Sequence, residues 1–144
     1  MKLSVYPVVI ILTCCLVAAG CGSGATSSRK LVKITGTVKY DGKPLPQGTI
    51  TFVTTGQGAT NAAGDLDSSG RYSLSTQEKG DGVPPGSYKV RIESWASPPK
   101  MDASGLHPGK SAIPKKYDNA EASGLTATVK DSPASQVIDF TLAP

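Results

Sequence analysis

Histidine occurs once and cysteine three times in the 144 residues. A metal centre built from several His and Cys ligands, or a Cys–His nucleophile, has little to draw on. Charged residues make up only 18% of the chain and aromatics 6%. Apart from Lys2, the Lys and Arg residues are scattered from Arg29 to Lys130 and interleaved with eleven acids, for a net charge of +4. That is a mildly positive solvated surface and not a nucleic-acid footprint, so no nucleic-acid partner is expected. No run of ten or more residues carries a helical apolar stripe, which argues against a helix bundle. What the chain has instead is sixteen Gly and eleven Pro. With the alternating apolar patterns described below, these suit a small all-β protein with many turns.

The N-terminal stretch reads as an address. Met1-Lys2 supplies a short positive start, no charge follows from Leu3 to Ala19, and Val8 to Leu12 form an apolar centre. It closes on Ala18-Ala19-Gly20-Cys21. Small residues before a cleavage point mark a secretory signal peptide. The Cys after Ala-Ala-Gly resembles the bacterial lipobox, which implies that the Cys21 thiol receives diacylglycerol and becomes the first mature residue. A single membrane-spanning helix is the competing reading; the small-small-Gly-Cys close favours the lipoprotein one. Residues 1–20 are then signal peptide, and residues 21–29 the lipidated Cys with a tether. Gly22 to Ser28 are Gly, Ser, Ala and Thr only, a flexible composition about 15 Å in mean span. Cys14 and Cys15 lie in the removed segment, so the domain at 30–144 would hold neither disulfide nor Cys-ligated metal. It must stand on its hydrophobic core.

Period-two alternation then recurs along the chain. Val32, Ile34, Val38 and Tyr40 share one parity, with Gly36 interrupting, and Asp41-Gly42 offers hairpin chemistry. Ile50 and Phe52 define a second strand near Thr49 to Thr54, and Tyr72 with Leu74 a third. Tyr88, Val90 and Ile92 give a fourth, Leu125 to Val129 a fifth, and Ile138, Phe140 and Leu142 a sixth. A seventh, poorly patterned, falls around Ala59 to Leu66.

Four motifs carry a resemblance. They are Gly36-Thr-Val-x-x-Asp41-Gly-Lys-Pro-Leu-x-x-Gly48-Thr-Ile-x-Phe52, Asp67-Ser-Ser-Gly70-Arg-Tyr72-Ser-Leu74, Val83-Pro-Pro-Gly86-Ser-Tyr88-Lys-Val-Arg-Ile92, and Ile113-Pro-Lys-Lys-Tyr117 followed by Ser123-Gly-Leu-Thr-Ala-Thr-Val129. Together they resemble the carboxypeptidase regulatory-like, transthyretin-type domains, especially the short planctomycete-type lipoproteins built on them. The resemblance covers Lys30 to the C-terminus. It implies a seven-stranded Greek-key β-sandwich and no catalytic role; fold alone does not carry function.

Each candidate site has a bland rival. Asp65, Asp67 and Ser69 alternate before Gly70 like the first half of a calcium loop, but Thr76 stands where a bidentate Glu would be needed. A polar turn is the simpler reading, and no metal is expected. Gly105 to Ser111 lacks the spacing, the preceding strand and the following helix of a phosphate loop. A small hydrolase around His107 and Lys110 would need a nucleophile, base and orienter that the chain does not supply with any specificity. Hydroxyisourate hydrolases of the transthyretin fold resemble this architecture but use several His and a Tyr-Arg-Gly-Ser tail, whereas this chain ends Phe140-Thr-Leu-Ala-Pro144. Asn61 and Asn119 are the only candidates for a Lys–Asn isopeptide, and neither sits in an apolar strand beside a Glu.

The long stretch from Trp95 to Lys116 shows no clear secondary structure and is too long for an idle connection. An exposed Trp95 and Tyr117 flanked by Lys115 and Lys116 would stack on a sugar or grip a partner; the alternative is that Trp95 folds over the sandwich end and Tyr117 pairs with its edge, leaving a merely mobile loop. The expectation is a non-catalytic, cofactor-free, lipid-anchored module on the extracytoplasmic side of a membrane, contacting an envelope protein or glycan.

Overall fold

The computed structural model describes residues 30–56 and 60–144. The strands are β1 (Ile34–Tyr40), β2 (Lys43–Pro44), β3 (Thr49–Thr54), β4 (Ala62–Asp65), β5 (Arg71–Ser73), β6 (Gly86–Glu93), β7 (Trp95–Ser97), β8 (Lys100–Asp102), β9 (Gly105–His107), β10 (Lys110–Ser111), β11 (Leu125–Val129), β12 (Gln136–Val137) and β13 (Phe140–Leu142). One turn of three-ten helix, Lys115–Asp118, precedes β11. The described residues are all-β apart from that turn, and their two main sheets form a sandwich.

The first sheet is organised by β1. Thr35 has Val137 of β12 on one side and Ser73 of β5 on the other. The β12 and β13 pairings are parallel and keep one register, Ile34 opposite Gln136 and Val38 opposite Phe140. They are one strand interrupted at Ile138 and Asp139. There the Asp139 carboxylate accepts from Thr37 N at 2.7 Å, and the Tyr72 hydroxyl donates to Ile138 O at 2.6 Å. Gly36 faces that carbonyl: a Cβ built on it would lie 1.9 Å from Ile138 O. The glycine that breaks the alternation in β1 is there because another backbone crosses it. The second sheet runs β11-β6-β3-β4, all antiparallel.

The alternating residues turn inward as the pattern requires. Ile34 and Val38, Ile50 and Phe52, Tyr88, Val90 and Ile92, and Phe140 and Leu142 belong to one buried cluster. Phe52 meets Phe140 edge-on at 6.1 Å, a contact from one sheet to the other, and Tyr88 at 5.8 Å. Burying each such side chain contributes about 1.5–3 kcal/mol.

All seven expected strand regions are present. The weak seventh is β4, poorly patterned because Gly64 sits against β5; a Cβ there would come within 2.4 Å of Ser73 O. The strands β2 and β7 to β10 were not expected. The stretch from Trp95 to Lys116, expected without secondary structure, instead holds four short strands and the start of the three-ten helix. Every residue of β7 and β8 is exposed. A ribbon wet on both faces has no apolar–polar alternation to read, and Pro98, Pro99 and Pro108 mimic loop composition.

The sandwich has two distinct ends. At one, the described chain enters: Val32 exchanges backbone bonds with Val83, and Lys30 pairs with Asp131 at 2.8 Å. At the other, β1, β6 and β13 finish. There Asp41 N donates to Leu142 O, and the Ser94 hydroxyl donates to Gln47 O at 2.7 Å. The unexpected strands leave from this second end.

Candidate functional site

The arm from Trp95 to Ser111 is rooted through small polar groups. Ser94 is buried. Its carbonyl accepts from Ala112 N at 2.8 Å and from the Ser111 hydroxyl at 3.2 Å. β7 pairs with β10 across a bulge, Trp95 opposite Ser111 and Ser97 opposite Lys110. Beyond Pro98-Pro99 the ribbon resumes, with Lys100 opposite His107, Met101 opposite Leu106 and Asp102 opposite Gly105. Gly109 makes the bend possible, since a Cβ on it would lie 2.6 Å from Pro99 Cδ and 2.7 Å from Trp95 Cζ3.

This architecture exposes apolar surface. Met101 is 74% exposed, Leu106 67% and Trp95 37%. Cross-strand partners share a face, so Met101 and Leu106 stand side by side. Trp95 lies at the base, where Gln47 Nε2 donates to its carbonyl at 2.5 Å. Gln47, Gly48, Ala96 and Pro98 line a shallow concavity with it. Neither Met101 nor Leu106 was singled out from the sequence. The available signal was the turn Asp102-Ala103-Ser104-Gly105 between two residue pairs, which is hairpin chemistry.

Tyr117 does not join Trp95 in an exposed pair. It is buried at 5% exposure, and its hydroxyl donates to Ala143 O at 3.1 Å and accepts from Ala143 N at 2.9 Å. Its tyrosine ring is core, fastening the three-ten helix to the C-terminal strand. Lys115 and Lys116 are exposed, with Lys116 Nζ 4.9 Å from the Tyr117 ring centre. The expected Trp95–Tyr117 platform is thereby reduced to Trp95.

His107 lies on the arm with Asp102 and Ser104. Its Nε2 is 3.0 Å from the Ser104 hydroxyl and 3.1 Å from Asp102 Oδ1. A relay needs the hydroxyl and the carboxylate on opposite ring nitrogens. Here both address the same nitrogen, and all three groups are in solvent. The Ser104 hydroxyl, the Ser104 N–H and His107 together hold the Asp102 carboxyl below its ordinary pKa. Lys110 belongs to β10, opposite Ser97 and apart from this cluster in the pairing. The arrangement is a hairpin-tip hydrogen-bond set.

The remaining sequence candidates are turn hardware. Asp67 Oδ1 accepts from Ser69 N at 2.8 Å and Arg71 N at 3.0 Å, while Asp65 Oδ1 accepts from the Thr49 hydroxyl at 3.0 Å. These carboxylates are engaged within the turn and the adjoining strands. No group of three or more His, Cys, Asp or Glu placed to hold a metal occurs among the described residues. Asn61 Oδ1 accepts from Thr54 N, and Asn119 Oδ1 from Glu121 N and Ala122 N. Gly105 to Ser111 forms β9 and β10 and precedes no α-helix. Cys21, with the whole signal and tether reading, lies outside the described residues. Within them, no helix is long and apolar enough to cross a membrane.

No family model matches the chain, and no curated protein does. Among solved structures it is similar to a 9R-lipoxygenase from Cyanothece, at 16% identity and a TM-score of 0.41 over 80% of this chain and 16% of that one. It is also similar to BcpA, the major pilin subunit of Bacillus cereus, at 11% identity and a TM-score of 0.44 over 79% of this chain and 30% of the pilin. The chain thus spans less than a third of either protein, and neither likeness bears on its activity.

Proposed function

We propose that this chain is a non-catalytic β-sandwich module of the carboxypeptidase regulatory-like, seven-stranded Greek-key type, lipid-anchored through Cys21 on the extracytoplasmic side of a membrane. Its working part is the arm from Trp95 to Ser111. The observation that supports this reading is the exposure of Met101, Leu106 and Trp95 on a strand-paired ribbon rooted at Ser94. Met101 and Leu106 are direct cross-strand neighbours, whereas the similarly exposed Val137 stands alone on β12; adjacent exposed apolar side chains mark a contact surface more often than singly scattered ones do. The anchor reading rests on the Ala18-Ala19-Gly20-Cys21 motif. The single-nitrogen geometry at His107 favours a module without catalysis.

Two measurements test it in the native host. Cys21→Ser is expected to remove the acyl group and leave an unprocessed precursor, read by mass spectrometry and labelled-palmitate incorporation; unchanged labelling refutes the anchor. Photo-reactive residues at positions 101 and 106 are expected to give defined adducts. A second reading, saccharide stacking on Trp95, is favoured by the concavity it forms with Gln47; titration of Trp95 emission with envelope saccharides decides it.

A further inference from the structure

Charge on and beside the arm is unevenly matched. Lys100 and Lys110 are on the arm, and Lys115 and Lys116 follow on the three-ten helix. Among the described residues none of these four enters an ion pair, which is equally true of Lys33, Lys39, Lys43, Arg71, Lys79 and Lys130. The Lys115 charge acts on the Asp118 carboxyl; what distinguishes the four is their place beside exposed apolar side chains. The same stretch holds two acids, Asp102 and Asp118. Asp102 is already held by Ser104 N, the Ser104 hydroxyl and His107. Strand alternation puts Met101 and Leu106 on one face of the ribbon and Lys100, Asp102 and His107 on the other.

Met101 and Leu106 stand side by side, both largely exposed, on a two-stranded ribbon. A stable protein interface needs about 800 Å² of complementary surface from each partner, which two side chains on a narrow ribbon do not offer. A fluid surface imposes no such demand, because it closes around whatever enters. Apolar side chains flanked by lysines, with a Trp at the boundary, match the layering of an anionic bilayer: acyl chains, then headgroup, then phosphate. We propose that the arm is a membrane contact, with Met101 and Leu106 entering an anionic phospholipid surface while Lys110, Lys115 and Lys116 meet its phosphates and Lys100, on the opposite face, stays in solvent.

This rests on the reading of the arm as the working part and narrows its partner to lipid. The arm lies at the end of the sandwich opposite the chain's entry. The seven residues of β1 span roughly 23 Å between those ends. From Cys21 to Lys30 the chain can extend to about 30 Å. That reach lets the sandwich lie along the bilayer that holds Cys21, making the arm a second attachment point whose effective concentration the tether raises.

Trp95 is the only tryptophan, so its emission reports the arm whatever the N-terminal segment does. The test uses the full chain carrying Cys21→Ser, with vesicles of phosphatidylcholine alone or with about one part in four of phosphatidylglycerol. The expected result is a blue shift and protection from acrylamide only with the anionic vesicles, reversed by salt. Lys110→Gln with Lys116→Gln is expected to weaken the response about 25-fold, at roughly five-fold per lysine. Met101→Ser with Leu106→Ser is expected to abolish the blue shift; both residues are exposed, so the fold survives. Trp95 emission that ignores the anionic vesicles, or a response that survives both double variants, overturns the proposal. If the vesicles fail while photo-reactive residues at 101 and 106 still capture one defined protein, the lipid partner falls and the binding reading stands. If both fail, both fall.

Discussion

Replacing Gly36 by Ala tests how the C-terminal strand is held against β1. A Cβ at position 36 would lie 1.9 Å from Ile138 O, 2.7 Å from Ile138 C and 2.9 Å from Tyr72 Cε1. Carbon and oxygen settle no closer than about 3.3 Å, so the backbone at Ile138 must retreat by more than about 1 Å. That retreat breaks or stretches three bonds: Ile138 N to Thr35 O at 2.9 Å, the Tyr72 hydroxyl to Ile138 O at 2.6 Å, and Thr37 N to Asp139 Oδ1 at 2.7 Å. At a net of about 1 kcal/mol each the loss is about 3 kcal/mol. Ala itself favours a strand over Gly by about 0.5–1 kcal/mol, which leaves a net loss of about 2–2.5 kcal/mol. For a domain of this size that lowers Tm by roughly 10 °C. Tyr72→Phe alone should cost about 1 kcal/mol, since it deletes one of the same three bonds. The double variant should then be less destabilised than the sum of the singles, by about 1 kcal/mol. Urea unfolding of the four proteins gives the cycle. A neutral Gly36→Ala, or strict additivity, would refute the account of this strand.

Other consequences are smaller. Asp67→Ala removes the acceptor for Ser69 N and Arg71 N and should cost about 1 kcal/mol at this exposed turn; calcium should leave the Tm of the parent protein unchanged, and a clear calcium-dependent rise would revive a metal site there. Partial burial pushes the Asp81 carboxyl up, but the N–H groups of Glu78, Thr76, Gln77 and Gly82 outweigh it and hold the pKa below its ordinary value. A depressed folded pKa means that Asp81 stabilises the protein above the unfolded carboxylate pKa and loses that contribution as pH falls through the folded one. The protection of the amides of Thr76 to Glu78, taken relative to their intrinsic exchange rates, should therefore fall on acidification below about pH 4, and Asp81→Asn should flatten that dependence. His107→Ala should leave stability within about 0.5 kcal/mol, because the hairpin-tip set it joins is in solvent.

Strands buried on one face were legible because burial writes itself into period two: Ile34 and Val38, Tyr88 to Ile92, and Phe140 with Leu142 were read correctly as inward. Gly36 and Gly64 interrupted that pattern for one physical reason, close approach by a neighbouring backbone. For Gly36 the interruption was visible but the neighbour was not, because parallel pairing with residues about a hundred positions away leaves no local trace; Gly64 meets Ser73 of β5, much nearer in the chain. The arm failed to register as strand for the opposite reason. Its pairing buries almost nothing, so no alternation is imposed, and proline dominated the reading. For Tyr117 the sequence leaves two placements open, because an aromatic beside two lysines looks alike whether its ring is in solvent or, as here, buried with its hydroxyl bonded to Ala143. For Trp95 the sequence leaves an exposed ring and a ring folded over the sandwich end both open, and its companions Met101 and Leu106 depend on a cross-strand register that only the folded ribbon defines.

The central claim is that the arm makes this module's contacts. In-cell photo-crosslinking tests it most directly, with a reactive residue placed in turn at 101, at 106 and at 135 beside β12 near the chain-entry end. The account predicts abundant adducts, with lipid on the reading developed above, from positions 101 and 106 and only background from 135. Equal labelling from all three positions, or none from the arm, would contradict it.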